Sequence, residues 1–293
     1  MKVFVTGASG FVGSAVIRDL IANGHDVLGL ARSDASADAL TAAGARVHRG
    51  DLNDPDSLRA GADTSDGVIH LAFRHDFDNF ADAGELDRRA IEVIGTTLAG
   101  SDRPLVVTSG MAGHTPGRAL TENDAFQPGL PRLSEPAALA FTDKGVRVSI
   151  VRLSPTTHGE GDHGFVPRLI QIAREKGVAA YIGDGTNRWP AVHRLDAAPL
   201  FRLAVEQAPA GTVLHAVAEE GVAGRDIATA IGGHLDLPVT SVPVEQAFDH
   251  FGWIGGMFAL DIPASSALTR ERFGWEPTGP GLLDDLAQGH YFA

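Results

Sequence analysis

Three glycines stand close together near the start of the chain, in Gly7-Ala8-Ser9-Gly10-Phe11-Val12-Gly13. Their spacing suits one kind of chemistry, the cradling of a phosphate by backbone N–H groups. One glycine permits a tight turn from strand to helix, a second lets the backbone approach a pyrophosphate, and a third lets helix and strand pack closely. The helix that follows offers free N–H groups and the positive end of its dipole to the same anion. The flanks agree with this use: Val3–Thr6 is a short β-branched and aromatic run, and Phe11–Asn23 places apolar residues at helical spacing. Glycines often only mark turns, but between a strand and a helix this trio reads as a dinucleotide-binding turn. Gly7, Ser9, Gly10, Phe11, Val12 and Gly13 are therefore assigned to the cofactor.

The residue that ends the second strand separates NAD from NADP. An acid there accepts from the ribose 2′-hydroxyl, whereas an arginine accommodates a 2′-phosphate. Here the strand ends Leu30-Ala31-Arg32-Ser33, and Asp26 lies at its opposite end. Arg32 can stack on adenine and pair with phosphate, and Ser33 can add a hydrogen bond. A solvated surface arginine is the plainer alternative. With no competing acid in place, the expected cofactor is NADP, as NADPH.

Two further stretches carry chemically suggestive residues. His158-Gly159-Glu160-Gly161-Asp162-His163 contains metal-ligand types, but no third ligand group is recognisable by spacing, so no metal is assigned. Phe248, Phe251, Trp253, Ile254, Met257 and Phe258 form an aromatic-rich segment, with Trp189-Pro190 elsewhere. These residues either line an apolar pocket, which would make the small-molecule substrate apolar, or simply pack a core. The formal net charge of -13 argues against nucleic acid or an anionic membrane as a partner. With no cysteine, disulfides, thiolate zinc sites and thiol nucleophiles are excluded. No apolar stretch is long enough to span a bilayer, and the amino-terminal segment lacks a signal-peptide core, so a cytoplasmic protein is expected.

The elements that must position these groups alternate along the first half. Strands are expected at Val3–Thr6, Val27–Ala31, Val47–Arg49, Val68–Ala72, Leu105–Thr108 and Val146–Leu153. Helices fall between them, one opened by Ser33 or Asp34, one by Asp54-Pro55-Asp56, and one around Glu85–Leu98. That alternation predicts an α/β fold, a doubly wound parallel Rossmann sheet covered on both faces. Later the pattern loosens into helices at Phe165–Lys176 and Ala197–Gln207, a returning strand at Thr212–Val217, and short helices after Gly221. The expected organisation is a Rossmann domain over 1–155, with 191–219 returning to it. A smaller interleaved α/β cap takes 156–190 and 220–293.

These residues together resemble the extended short-chain dehydrogenase/reductases, the NAD-dependent epimerase/dehydratase group, over nearly the whole chain. Thr6 to Gly13 is similar to that family's nucleotide turn, and Asp51-Leu52 to its adenine-contacting pair. His70-Leu71-Ala72 resembles the segment along the cofactor, which extends the implied contacts to Leu71, Ala72 and Phe73. Thr108-Ser109-Gly110 sits where the family keeps its strand-five serine, and Arg152-Leu153-Ser154-Pro155 resembles the segment beside the nicotinamide. The resemblance thus adds Thr108, Ser109, Leu153 and Pro155 to the cofactor residues, and it allows a homodimer joined through two helices.

One departure outweighs these matches. The family's proton relay is a tyrosine followed four residues later by a lysine, between strands five and six. This chain has only Tyr181 and Tyr291, and the relay positions fall near Pro131 and Glu135. By analogy Ser109 becomes the candidate donor to a developing oxyanion. Arg132 and Glu135 occupy the vacated region: Arg132 can stabilise negative charge, and Glu135 can hold Arg132 or the ribose. An exposed ion pair on a helix face is the plainer account of both. His114 is a loop histidine that can serve as general acid. The resulting reading is an NADPH-dependent oxidoreductase acting on a small, mostly apolar carbonyl, imine or activated alkene. The alternative is a catalytically silent NADP(H)-binding sensor.

Overall fold

The computed structural model describes residues 1–76, 79–111, 117–127, 129 and 132–293. Strand β1 (Lys2–Thr6) leads into α1 (Phe11–Ala22), followed by β2 (Asp26–Ala31), α2 (Asp34–Ala42), β3 (Arg46–Arg49), α3 (Pro55–Asp63) and β4 (Gly67–His70). Next come α4 (Phe80–Leu98), β5 (Pro104–Gly110), α5 (Ser134–Leu139), β6 (Arg147–Leu153) and β7 (Thr156–His158). The chain continues through α6 (Phe165–Lys176), β8 (Ala179–Ile182), β9 (Arg188–His193), α7 (Arg194–Gln207) and β10 (Thr212–Ala216). It ends with β11 (Glu219–Ala223), α8 (Gly224–Leu235), β12 (Val239–Val242), α9 (Ala247–Phe251), α10 (Ile254–Phe258), α11 (Ala267–Phe273) and α12 (Leu282–Ala287).

Local chemistry sets the ends of these elements. Ser33 caps α2, its hydroxyl accepting from the Ser36 N–H at 3.2 Å. Asp54 caps α3 through the N–H groups of Asp56 and Ser57, with Pro55 in the first turn where its missing N–H costs nothing. The seven-stranded sheet has the order β10-β6-β5-β4-β1-β2-β3, and the pairs from β3 across to β5 are parallel. Strands β2 and β3 lie to one side of β1, and β4, β5 and β6 to the other. The winding therefore reverses between β1 and β4, and the crevice beyond their carboxyl ends is where such sheets take ligands.

Two compact units divide the chain. The first comprises residues 1–112, 125–152 and 197–214; the second comprises 113–124, 153–196 and 215–293. Phe4, Leu58, Ile91, Ile94, Leu105 and Val148 are fully buried in the core of the first unit. Among the described residues no helix is long and apolar enough to cross a membrane.

The second unit is richer in strands than its sequence predicts. It contains a three-stranded sheet, β11-β9-β7, and the parallel pair β12-β8. Its core closes over Trp189, which is 1% exposed and meets Phe258 edge-on at 5.2 Å between ring centroids. Phe251 packs on Phe258 at 5.4 Å, Ile254 is fully buried, and Trp253 and Met257 lie against the same cluster. Of the aromatic-rich segment only Phe248 is turned out, at 70% exposure. The segment is core, and the argument it offered for an apolar substrate lapses. Burying each such large side chain contributes about 1.5–3 kcal/mol, which is reason enough for their presence.

Candidate functional site

The glycine turn sits at the carboxyl end of β1, on the crevice edge. Gly7 has φ +67°, and a Cβ there would stand 2.7 Å from the Ala72 nitrogen and 2.8 Å from the Leu71 carbonyl carbon. A Cβ on Gly13 would lie 2.0 Å from the Gly7 carbonyl oxygen, so helix α1 can start this close to the strand only with glycine. The Gly10 N–H bonds back to the Gly7 carbonyl at 3.0 Å, and no side chain caps α1. Ser9 and Gly10 are exposed, Phe11 and Val12 half-buried, and no acid occupies the first turn. An uncapped twelve-residue helix whose first turn carries no acid fits a dinucleotide pyrophosphate.

Arg32 follows the last residue of β2 with its side chain 81% exposed, its Nε 3.9 Å from a carboxylate oxygen of Asp51. Asp51 is half-buried and accepts from the backbone and side-chain N–H groups of Asn53 at 2.8 and 2.7 Å. Leu52 beside it is half-buried. Ser33 is occupied as the α2 cap, and Asp34 points to Arg49 at 2.6 Å rather than to Arg32. Among the described residues Arg32 is thus held only loosely, by one long contact, and its side chain remains accessible to a phosphate.

At the carboxyl ends of β4 and β5 a buried hydrogen-bond chain begins just before the glycine turn. The Thr6 hydroxyl lies 2.8 Å from His70 Nδ1, and His70 Nε2 lies 3.0 Å from Asp87 Oδ1. The Ser134 hydroxyl donates to Asp87 Oδ2 at 2.5 Å, and Arg132 Nε donates to Ser134 at 2.9 Å. Arg132 Nη2 then donates to the Thr108 carbonyl at 2.9 Å, and the guanidinium lies 4.2 Å above the Phe73 ring, within cation–π range. Burial pulls the Arg132 guanidinium below its ordinary value, while the Asp87 charge opposes the shift.

The chain therefore brings Leu71, Ala72, Phe73, Thr108 and Arg132 to the crevice side of Gly7. The Ala72 N–H donates to the Thr6 hydroxyl at 3.3 Å. Ser109 is one residue beyond the Arg132-bound carbonyl and is 2% exposed; its Oγ is 3.5 Å from the Gly110 carbonyl, too long for a strong bond. Thr108 Oγ1 is buried with no partner among the described residues. His114 and Pro131 lie outside the described residues.

Glu135 departs from its expected roles. It holds neither Arg132 nor an exposed helix-face partner, but Arg152 on β6, in a bidentate pair of 2.6 and 3.0 Å. Both side chains are nearly fully buried, at 2% and 3%. The correction has a plain cause: the first turn of α5 turns inward, since Ser134, Glu135 and Ala138 are all buried. Leu153 ends β6 half-buried, and Pro155 stands half-buried between β6 and β7 in the second unit.

The His158–His163 stretch is tied within the second unit. His158 Nδ1 pairs with Asp285 at 2.9 Å, and the Tyr291 hydroxyl donates to Asp162 while accepting from the Gly159 N–H, both at 3.0 Å. Burial pushes the carboxyl of Asp162 and the phenol of Tyr291 up, and it pushes His193 down. Among the described residues no group of three or more His, Asp or Glu is placed to hold a metal ion.

Sequence reasoning missed Asp87, His70 and Ser134 as site residues. A signal for Asp87 was present: it stands on the apolar stripe Ala83, Ala90, Ile91, Ile94 of α4, where a lone carboxylate must find buried partners.

A family model described as the NAD dependent epimerase/dehydratase family matches residues 3–101. An uncharacterised protein of Schizosaccharomyces pombe is 51% identical over 100% of both chains. The 2-alkyl-3-oxoalkanoate reductase of Stenotrophomonas maltophilia is 31% identical over 70% of this chain and 66% of its own. Among solved structures, a dTDP-glucose 4,6-dehydratase from Streptomyces venezuelae superposes with a TM-score of 0.80 at 20% identity, covering 99% of this chain and 96% of its own. With the glycine turn at the head of α1 and the doubly wound sheet that presents it, this chain belongs to the NAD-dependent epimerase/dehydratase family of extended short-chain dehydrogenase/reductases.

Proposed function

We propose that this chain is an NADPH-dependent oxidoreductase that reduces a small carbonyl, imine or activated alkene. The observation that carries the reading is the Arg132 guanidinium, held at the carboxyl end of β5 beside the crevice that the glycine turn opens. When bound, NADPH supplies a hydride to the electrophilic carbon of the substrate. The side chains have the remaining tasks. Arg132 faces negative charge that grows on the substrate oxygen or nitrogen, and its hold on Ser134 and Thr108 fixes its direction. Ser109, or a water, delivers the proton that completes reduction. The oxoalkanoate reductase among the relatives favours the carbonyl within this set. Arg32 supports NADPH over NADH, because an accessible arginine directly follows β2 and the nearby acid Asp34 is paired elsewhere.

Oxidation of NADPH followed across ketones, aldehydes, cyclic imines and enones tests the reading. Turnover with one class is the expected result. Tight NADPH binding with no turnover would favour the silent sensor, a reading supported by Glu135, which occupies the relay's lysine position and is locked onto Arg152.

Cofactor choice has its own test. Arg32→Ala is expected to weaken NADPH by about 1.5–3 kcal/mol, roughly ten- to a hundredfold, while NADH affinity changes little. Equal losses for both cofactors, measured by fluorescence titration, would remove Arg32 from the 2′-phosphate.

A further inference from the structure

We propose that Asp87 is the positioning residue of this site, holding the dinucleotide turn with one carboxylate oxygen and the Arg132 guanidinium with the other. The proposal rests on the dinucleotide and reductase reading above. Asp87 is 1% exposed in the middle of α4, and both of its oxygens are used. Its directionality is consistent along the whole chain. With His70 protonated at Nε2, that N–H donates to Asp87 Oδ1 and Nδ1 accepts from the Thr6 hydroxyl. On the other side Ser134 donates to Oδ2 and receives Arg132 Nε. Every donor thus points toward Asp87, so its carboxylate is the terminal acceptor of two arms.

The first arm ends under the cofactor turn. Thr6 directly precedes Gly7, and its hydroxyl also receives the Ala72 N–H, the atom that closes against Gly7. The second arm ends on Arg132, whose remaining nitrogen, Nη1, has no partner among the described residues and is the edge left for a ligand oxygen. A guanidinium with one edge anchored and a ring beneath it cannot swing away without breaking two bonds. Asp87 also supplies the negative charge that lets this cation stay in a dry place. It touches neither cofactor nor substrate, and its effect runs through Thr6 and Arg132.

The test separates the arms with ligands that need no known substrate. NADPH affinity is measured by fluorescence, and acetate, as a probe for the oxygen-binding edge, is titrated calorimetrically into protein loaded with NADP+. Thr6→Val is expected to raise the NADPH dissociation constant about tenfold and leave acetate unaffected; Ser134→Ala is expected to do the reverse. Asp87→Asn, which keeps the shape and removes the charge, is expected to weaken both. Thermal midpoints accompany each titration, because a purely structural role would lower the midpoint without splitting the two affinities. If Asp87→Asn does not fold, the split between the two single-arm variants still decides. A folded Asp87→Asn protein with wild-type affinity for both ligands would overturn the proposal, as would a loaded wild type that ignores acetate. A wild type that binds neither NADPH nor NADH would instead defeat the dinucleotide reading, and this proposal with it.

Discussion

Arg152→Met is expected to destabilise the folded chain by about 3–5 kcal/mol, the usual cost of removing one member of a buried ion pair. The reason lies in what stays behind. Glu135 is 2% exposed and receives both of its described hydrogen bonds from Arg152, so the variant leaves a carboxylate in a dry core. At about 2–4 °C per kcal/mol for a chain of this size, calorimetry should show the midpoint falling by roughly 10 °C. Combining Arg152→Met with Glu135→Gln should recover much of the loss, because a neutral amide is far cheaper to bury than an unpaired charge. A single variant that melts within a degree or two of wild type would mean that Glu135 has water or another partner in solution.

Gly13→Ala is expected to abolish useful dinucleotide binding. The added methyl would stand 2.0 Å from the Gly7 carbonyl oxygen and 2.9 Å from its carbon, both rigid backbone atoms. Helix α1 must then shift off the strand, at a strain of about 1–3 kcal/mol, and its first N–H groups no longer converge on one phosphate. The NADPH dissociation constant should rise by about a hundredfold, with strain and lost phosphate bonds acting together. Gly233→Ala is the matched control, since nothing lies within 4 Å of its added Cβ in helix α8. That variant should gain a little stability from helix propensity and bind as wild type. Undiminished NADPH binding by Gly13→Ala would remove the glycine turn from the phosphates.

The contrast between the halves explains what could be read from sequence. Helix α6 runs Phe165–Lys176, the expected span, because its apolar residues recur at helical spacing and Gly177 takes the left-handed conformation that ends it. Strand β9 was not legible. It is the central strand of its sheet yet contains Pro190, a residue that argues against a central strand because it cannot donate to the ladder. The partner strand resolves the conflict: pairing runs from Glu219 opposite Ala191 to Val222 opposite Trp189, with a register shift between them where Pro190 sits. Nothing local in the sequence announces a bulge made by another segment. Glu135 was misjudged for a related reason. It was placed by proximity in sequence, whereas its partner, Arg152, comes from β6. The aromatic segment was ambiguous in principle, since residues that line a pocket and residues that fill a core have the same composition.

The division into two units has an optical consequence. All three tryptophans, Trp189, Trp253 and Trp275, and both tyrosines, Tyr181 and Tyr291, belong to the second unit. The first unit, which carries the glycine turn, has neither. Tryptophan and tyrosine absorbance and emission therefore report the second unit alone, while far-ultraviolet dichroism follows both. If the units melt together, the two signals coincide at one midpoint. If they do not, bound NADPH should move the dichroism transition and leave the tryptophan transition where it was.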